Sequence, residues 1–232
     1  MRKLTIILFL LSTVLTASCD FISSDVTDFN FILPEKEFTV NTSDFNIAAS
    51  GNIPEVACTE DLTCSEAGGE AFSCDVASSK CKATAEYVLR SDLVNLKEEV
   101  EELAVVGSND HVTVTFKYIQ MEVIKNTLNF SLPPLEIYVA PQSVTTLYGI
   151  EGIVNSEAEL IGTLDSIPAS TMGVYDINLT TEGENILTEY CQDPSVPFYF
   201  FIGGQVVFLA GDPVPAGELT VRVHSMATAR IE

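Results

Sequence analysis

VTVTFKYIQMEVI, residues 112–124, is the longest run of alternating apolar and polar residues in the chain. A period of two marks a β-strand with one face on a core and the other in water, so this run predicts a central strand. Toward the C-terminus, Asn126–Pro134 (NTLNFSLPP) turns the chain into LEIYVA at 135–140, a second strand. Leu160–Leu164, Val174–Leu179 and Phe198–Leu209 follow at spacings typical of an antiparallel sandwich, with a helix expected over Glu184–Tyr190. FYFFIGGQVVFLA at 198–210 is the most apolar stretch outside the first twenty residues. It is too short to cross a bilayer as a helix, and its Gly203-Gly204 pair predicts either a bulged core strand or a hairpin. A loop from Gly211 to Gly217 leads to a closing strand at Leu219–Ala229.

Toward the N-terminus, Phe29–Leu33, Glu37–Val40 and Phe45–Ala49 predict short strands, and Ala85–Val94 a longer one. Asn95 followed by Glu98 fits a variant of the capping box. The short helix it would start carries Leu96, Val100 and Leu103 on one stripe and Glu98, Glu99, Glu101 and Glu102 in water. The fold class expected is mainly β: an antiparallel immunoglobulin-like sandwich with one or two short helices and a disulfide-rich loop.

Hydrophobic residues make up 47% of the 232 residues and charged ones 19%, enough apolar surface for a core. The formal net charge is −22. Arg2 and Lys3 are the only charges in the first eighteen residues, so without them nine Lys and Arg face 33 Asp and Glu, a balance of −24. Such a surface argues against nucleic acid as a partner, because phosphate backbones are bound by Lys and Arg. Adsorption by charge onto anionic headgroups is disfavoured for the same reason, and simple solubility through self-repulsion is the plain reading.

The first eighteen residues read as a signal peptide. Met1-Arg2-Lys3 is a basic n-region and Leu4–Leu15 an uncharged apolar run of about 18 Å as a helix, short of a ~30 Å bilayer core. Ala17-Ser18-Cys19 resembles the lipobox of bacterial lipoproteins, with Thr16 where that pattern prefers Leu. The resemblance implies cleavage before Cys19 and acylation of Cys19, with two or three acyl chains giving a stable anchor. The competing expectation is ordinary secretion with cleavage after Ser18. Residues 19–35 would then be a lipid-anchored tether, and residues 36–232 a β-sandwich domain with a Cys-rich insertion at about 56–83. The chain as a whole is similar to exported lipoproteins of the myxobacterial kind. Its expected location is the cell envelope, on either membrane, with the membrane as partner through Cys19 and an envelope protein as a further partner.

An exported compartment is oxidising, so clustered cysteines read as disulfides. Cys58, Cys64, Cys74 and Cys81 lie in CTEDLTCSEAGGEAFSCDVASSKC, a polar loop that two crosslinks would order. Three pairings are open. A four-thiolate zinc site is disfavoured because structural zinc favours two to four residues between paired ligands, and the gaps here are wider. Cys191 reads as a buried free thiol, or as the partner of Cys19 should that residue escape lipidation.

Asn126, Leu135–Val139, Gly162, Ile167-Pro168-Ala169, Val174–Leu179, Ile186–Tyr190 and Phe198–Phe208 follow one another in a characteristic order. In that order Asn126–Phe208 resembles the late-embryogenesis-abundant type-2 and water-stress (WHy) β-sandwich, with Asn126-Thr127 where that family has Asn-Pro. The family implies a sandwich fold and brings no catalytic residues.

Chemistry-bearing motifs are scarce. His111 and His224 are the only histidines, and both fall in or beside strands. There is no Gly-x-Ser-x-Gly elbow, phosphate-cradling glycine loop or calcium loop, and no Trp to stack on sugars. The expectation is therefore a non-catalytic, cofactor-free and metal-free envelope lipoprotein, structural or ligand-binding. The alternatives are an exported hydrolase with an unrecognised site and an apolar-ligand carrier, the latter needing a cavity of roughly a few hundred Å³ between its sheets.

Overall fold

A computed structural model of the protein describes residues 28–104, 112–149 and 152–231. The alternating run becomes β5 (Val112–Asn126), whose inward residues fall in two phases. Val112 and Val114 face the core, and so do Ile119, Met121 and Val123. The phase changes because β5 carries an extra residue against β11 (Glu218–Ile231), where Met226 pairs with Tyr118 and Ala227 with Phe116. A bulge of this kind turns one alternation into the other without breaking the strand.

Two antiparallel sheets pack face to face. In the first, β11 lies beside β5, and β5 beside the short β8 (Gly173–Asp176). The other edge of β11 is shared by β1 (Asp28–Ile32) and β2 (Lys36–Asn41), which pair with successive parts of the same strand. Leu33-Pro34-Glu35 is the break between them, where proline offers no N–H to a ladder. The second sheet runs β3 (Phe72–Asp75), β4 (Lys80–Arg90), β10 (Phe198–Phe208), β6 (Leu135–Pro141), β7 (Glu159–Leu164) and β9 (Asn178–Leu179). Its inward face contributes Ala83, Ala85, Leu89, Ile137, Val139, Phe198 and Ile202 to a core completed by Met121, Val221 and Ala227 from the first sheet.

Several expectations are corrected. Phe45–Ala49 is not a strand: Thr42–Phe45 is a 3-10 turn, whose N-cap Asn41 accepts a hydrogen bond from the Ser43 N–H. Burial of Phe45 against Phe130 fixes that turn. The predicted strand at Val174–Leu179 is two strands. β8 pairs with β5, and β9 pairs with β7 of the opposite sheet, so the chain changes sheets at Ile177. β10 is neither bulged nor a hairpin; its register against β4 runs without a shift from Phe201 to Phe208. Gly203 and Gly204 serve packing instead. A Cβ at Gly203 would strike the Leu147 side chain, and one at Gly204 would overlap the Tyr87 hydroxyl.

The expected capping box also fails. Asn95 precedes α2 (Leu96–Glu99) but its side chain caps nothing, and its Oδ1 is buried without a partner. Leu96, Val100 and Leu103 are buried as the stripe predicts, while Glu99 turns away from water to meet Lys36. The C-terminal helix is α3 (Thr181–Cys191), capped by the Thr180 hydroxyl, which accepts from the Gly183 N–H at 2.9 Å. It bridges the sheets at the edge of β5, where the Thr188 hydroxyl donates to the Val114 carbonyl. Gly183 permits this docking, because any Cβ there would overlap the Ile161 carbonyl.

Candidate functional site

The clustered cysteines form two disulfides, Cys58–Cys74 and Cys64–Cys81, an alternating pairing. The segment is more ordered than a crosslinked loop. It holds α1 (Asp61–Gly68) and the β3–β4 hairpin, and the Asp61 carboxylate accepts from the Cys74 N–H at 2.7 Å. Cys64 and Cys81 belong to the main core with Phe72, so the module is an extension of the sandwich and not an appendage. The sulfurs of Cys58, Cys64 and Cys74 lie within 4.8 Å of one another because the two bonds sit side by side. Bonded as disulfides they have no thiolate to offer a metal.

Cys191, at the end of α3, is a free thiol with no exposed surface, and burial pushes its pKa up to about 12. A thiol so far from ionisation is a small hydrophobe, not a nucleophile. Cys19 and His111 lie outside the described residues.

His224, which the sequence marks only as a strand histidine, sits on the outer face of the first sheet between two carboxylates. Its Nδ1 is 3.1 Å from Glu35 Oε1 and its Nε2 3.1 Å from Glu122 Oε2. Arg222, two residues earlier on β11, reaches Glu35, Glu37 and Glu122 at 3.5–3.8 Å. Beyond them Gln120 donates to Asp176 at 2.7 Å. The cluster ties β2, β11, β5 and β8 together across the sheet. Both ring nitrogens of His224 face carboxylates, an arrangement unlike a hydrolytic relay, in which one nitrogen faces a serine or cysteine.

Between the sheets, Leu33, Phe38, Val94, Ile119, Ile137 and Phe200 enclose an apolar cavity of about 40 Å³. That is roughly one water's share of liquid volume and about a tenth of what the carrier alternative requires. Lys36 and Glu99, paired at 3.3 Å, also line it, and Glu99 Oε2 is buried without a hydrogen-bond partner. A larger hollow of about 670 Å³ opens at the surface between Thr42–Ala48 and Pro215–Glu218, but its lining has no aromatic ring and one ionisable group, Glu218.

Asn126 and the Ile167–Ala169 turn, far apart in sequence, are neighbours. Asn126 Nδ2 donates to the Pro168 and Thr171 carbonyls at 3.1 and 3.0 Å, and its Oδ1 accepts from the Leu128 N–H. Spacing alone offered no sign of the Glu35–His224–Glu122 cluster, whose members come from the break before β2 and from β11 and β5.

Among the described residues, no helix is long and apolar enough to cross a membrane. No family model matches the chain, and no curated protein matches it. Among solved structures it is similar to a chain of mud crab tombus-like virus, at 8% identity over 94% of this chain and 87% of that one, with a TM-score of 0.35. It is also similar to a chain of infectious bursal disease virus (11% identity, 91% and 37% covered, TM-score 0.24). A third is the KI polyomavirus VP1 chain (11% identity, 90% and 97% covered, TM-score 0.23).

Proposed function

We propose that the protein is an exported envelope lipoprotein, held to a membrane by acyl chains on Cys19, whose β-sandwich is a structural or binding module and not a catalyst. The observation that carries this reading is the pair of disulfides, Cys58–Cys74 and Cys64–Cys81, which persist in oxidising compartments outside the cytoplasm. The N-terminal sequence supplies the matching export signal, and Cys191 is enclosed in the core and so offers Cys19 no disulfide partner without unfolding. Eight residues separate Cys19 from β1, a tether of at most about 28 Å. The late-embryogenesis-abundant type-2 resemblance is part of the same reading, supported by the hydrogen bonds that join Asn126 to the Pro168 turn.

Intact mass of the mature chain, purified from membranes, tests it. The expected mass is that of the chain from Cys19 plus a diacylglyceryl group and an amide-linked acyl chain, and Cys19→Ala should release unacylated protein into the soluble fraction. A wild-type mass matching cleavage after Ser18 with no acyl addition overturns the anchor.

A further inference from the structure

We propose that the two disulfides are an exchangeable pair, convertible by an external thiol into Cys58–Cys64 and Cys74–Cys81 while the sandwich stays folded. The sulfurs of Cys58, Cys64 and Cys74 lie within 4.8 Å of one another, so a sulfur released from the Cys58–Cys74 bond already stands beside Cys64. Cys74 and Cys81 are direct cross-strand partners in the β3–β4 ladder. Residues opposed in an antiparallel pair have Cα atoms about 4.5–5.5 Å apart and point to one face, within the reach of a disulfide. The second pairing therefore needs no change of strand register.

Exposure sets the order of events. Cys74 is half-buried, whereas Cys58, Cys64 and Cys81 are 6%, 0% and 1% exposed. An external thiolate attacks Cys74 Sγ, forms a mixed disulfide there and expels Cys58 as a thiolate. The Cys58 thiolate attacks Cys64 Sγ, which forms Cys58–Cys64 and expels Cys81. The Cys81 thiolate then attacks Cys74 Sγ across the hairpin, closing Cys74–Cys81 and returning the external thiolate. Two disulfides are consumed and two are formed, with no net gain of electrons or protons. Burial disfavours a thiolate, so expulsion of Cys81 is the slow step. Cys191 cannot start the sequence, because it is enclosed in the core. In the observed pairing Cys58, before α1, and Cys64, within it, are each bonded to a strand of the hairpin. After exchange the helical segment and the hairpin are each closed on themselves. The Asp61–Cys74 hydrogen bond and the packing of Phe72 on Gly68 then remain to hold α1. The disulfide pair is thus a covalent latch on α1.

The test incubates the mature full-length chain with glutathione under native conditions, at about pH 8, where part of that thiol is thiolate. Samples are quenched with acid and their disulfides mapped by peptide mass. Peptides joined through Cys58–Cys64 and Cys74–Cys81 should appear together, and only when glutathione is present. The Cys58→Ser/Cys74→Ser variant removes the relay, so its Cys64–Cys81 bond must wait for the module to open and should be attacked at least about tenfold more slowly. Persistence of the observed pairs alone, or attack on Cys64–Cys81 at the wild-type rate in the variant, overturns the proposal. Should the variant fail to fold, the wild-type time course decides. Cys58–Cys64 must form before Cys74–Cys81, whereas simultaneous appearance of all three pairings means scrambling through the unfolded chain and sinks the idea.

Discussion

Asn126 shows how much one buried polar residue decides. At 8% exposure it ends β5 and spends all three of its hydrogen bonds on backbone, two of them on the turn that follows β7. Asn126→Ala leaves the Pro168 and Thr171 carbonyls without that donor and should cost about 2–4 kcal/mol. A urea-unfolding midpoint unchanged from wild type would show that water replaces the amide at no cost. Cys191 makes the opposite use of burial. Its pKa is raised to about 12 by burial, so the fold keeps the thiol neutral while the unfolded chain ionises near pH 8.5. The stability it contributes is complete below that value and falls as pH rises toward 12. Buried Tyr87 and Tyr138, also raised chiefly by burial, act in the same direction at higher pH. The native chain should resist a thiol reagent at pH 8 and react only as fast as it unfolds; immediate labelling would place Cys191 at the surface. The sequence offered Cys191 as a free thiol or as a partner of Cys19, and marked Asn126 as a distinctive residue. It could not mark His224's role, because Glu35 and Glu122 are remote in the chain and meet it only through β-pairing.

Among the elements, the disulfide module has the largest measurable consequence. Each bond closes a sequence separation of 16 or 17 residues, worth about 3 kcal/mol in a chain-entropy account. Removing Cys64–Cys81 should cost more than removing Cys58–Cys74. Cys64 and Cys81 pack in the core with Phe72, whereas Cys74 is only partly buried. Double Cys→Ser variants compared by denaturant unfolding give the order, and a reversed order would mean the module is held by its helix and hairpin. The presence of these crosslinks was legible in cysteine spacing, but α1 inside the loop was not, since eight residues with almost no apolar stripe carry no helical period. Gly203-Gly204 was misread for a related reason. Glycine pairs in strands usually mark bulges, and only the position of Tyr87 and Leu147 across the strand reveals that these two make room for side chains.

Across the whole molecule, charge-assisted contacts at the edges of the fold hold carboxyl groups below their ordinary range. Arg230 donates to Asp28 at 2.8 and 2.9 Å, fastening β1 to β11, and this hydrogen bond holds the Asp28 carboxyl below its ordinary range. Lys80 lowers Glu55 in the same way beside the disulfide module. For a lowered carboxylate the stabilisation is present above the ordinary carboxylate range, near pH 4, and is lost as pH falls through the lowered value. Amides of β1 should therefore lose protection as pH falls below the ordinary carboxylate range, before the core does, and Asp28→Asn should remove that dependence. Loss of protection in core and edge together would make the acid transition global.

The amino-acid sequence by itself determined a β-sandwich, the places of most of its strands, the buried stripe before residue 104, and a disulfide-bonded segment, because each is written in local periodicity or spacing. Tertiary structure alone decided the disulfide pairing, the change of sheets at Ile177, the phase shift in β5, and the meeting of Glu35, Glu122 and His224. Those depend on which strands lie side by side, and strand neighbours are chosen by the shared core across the fold, not by residues adjacent in the chain.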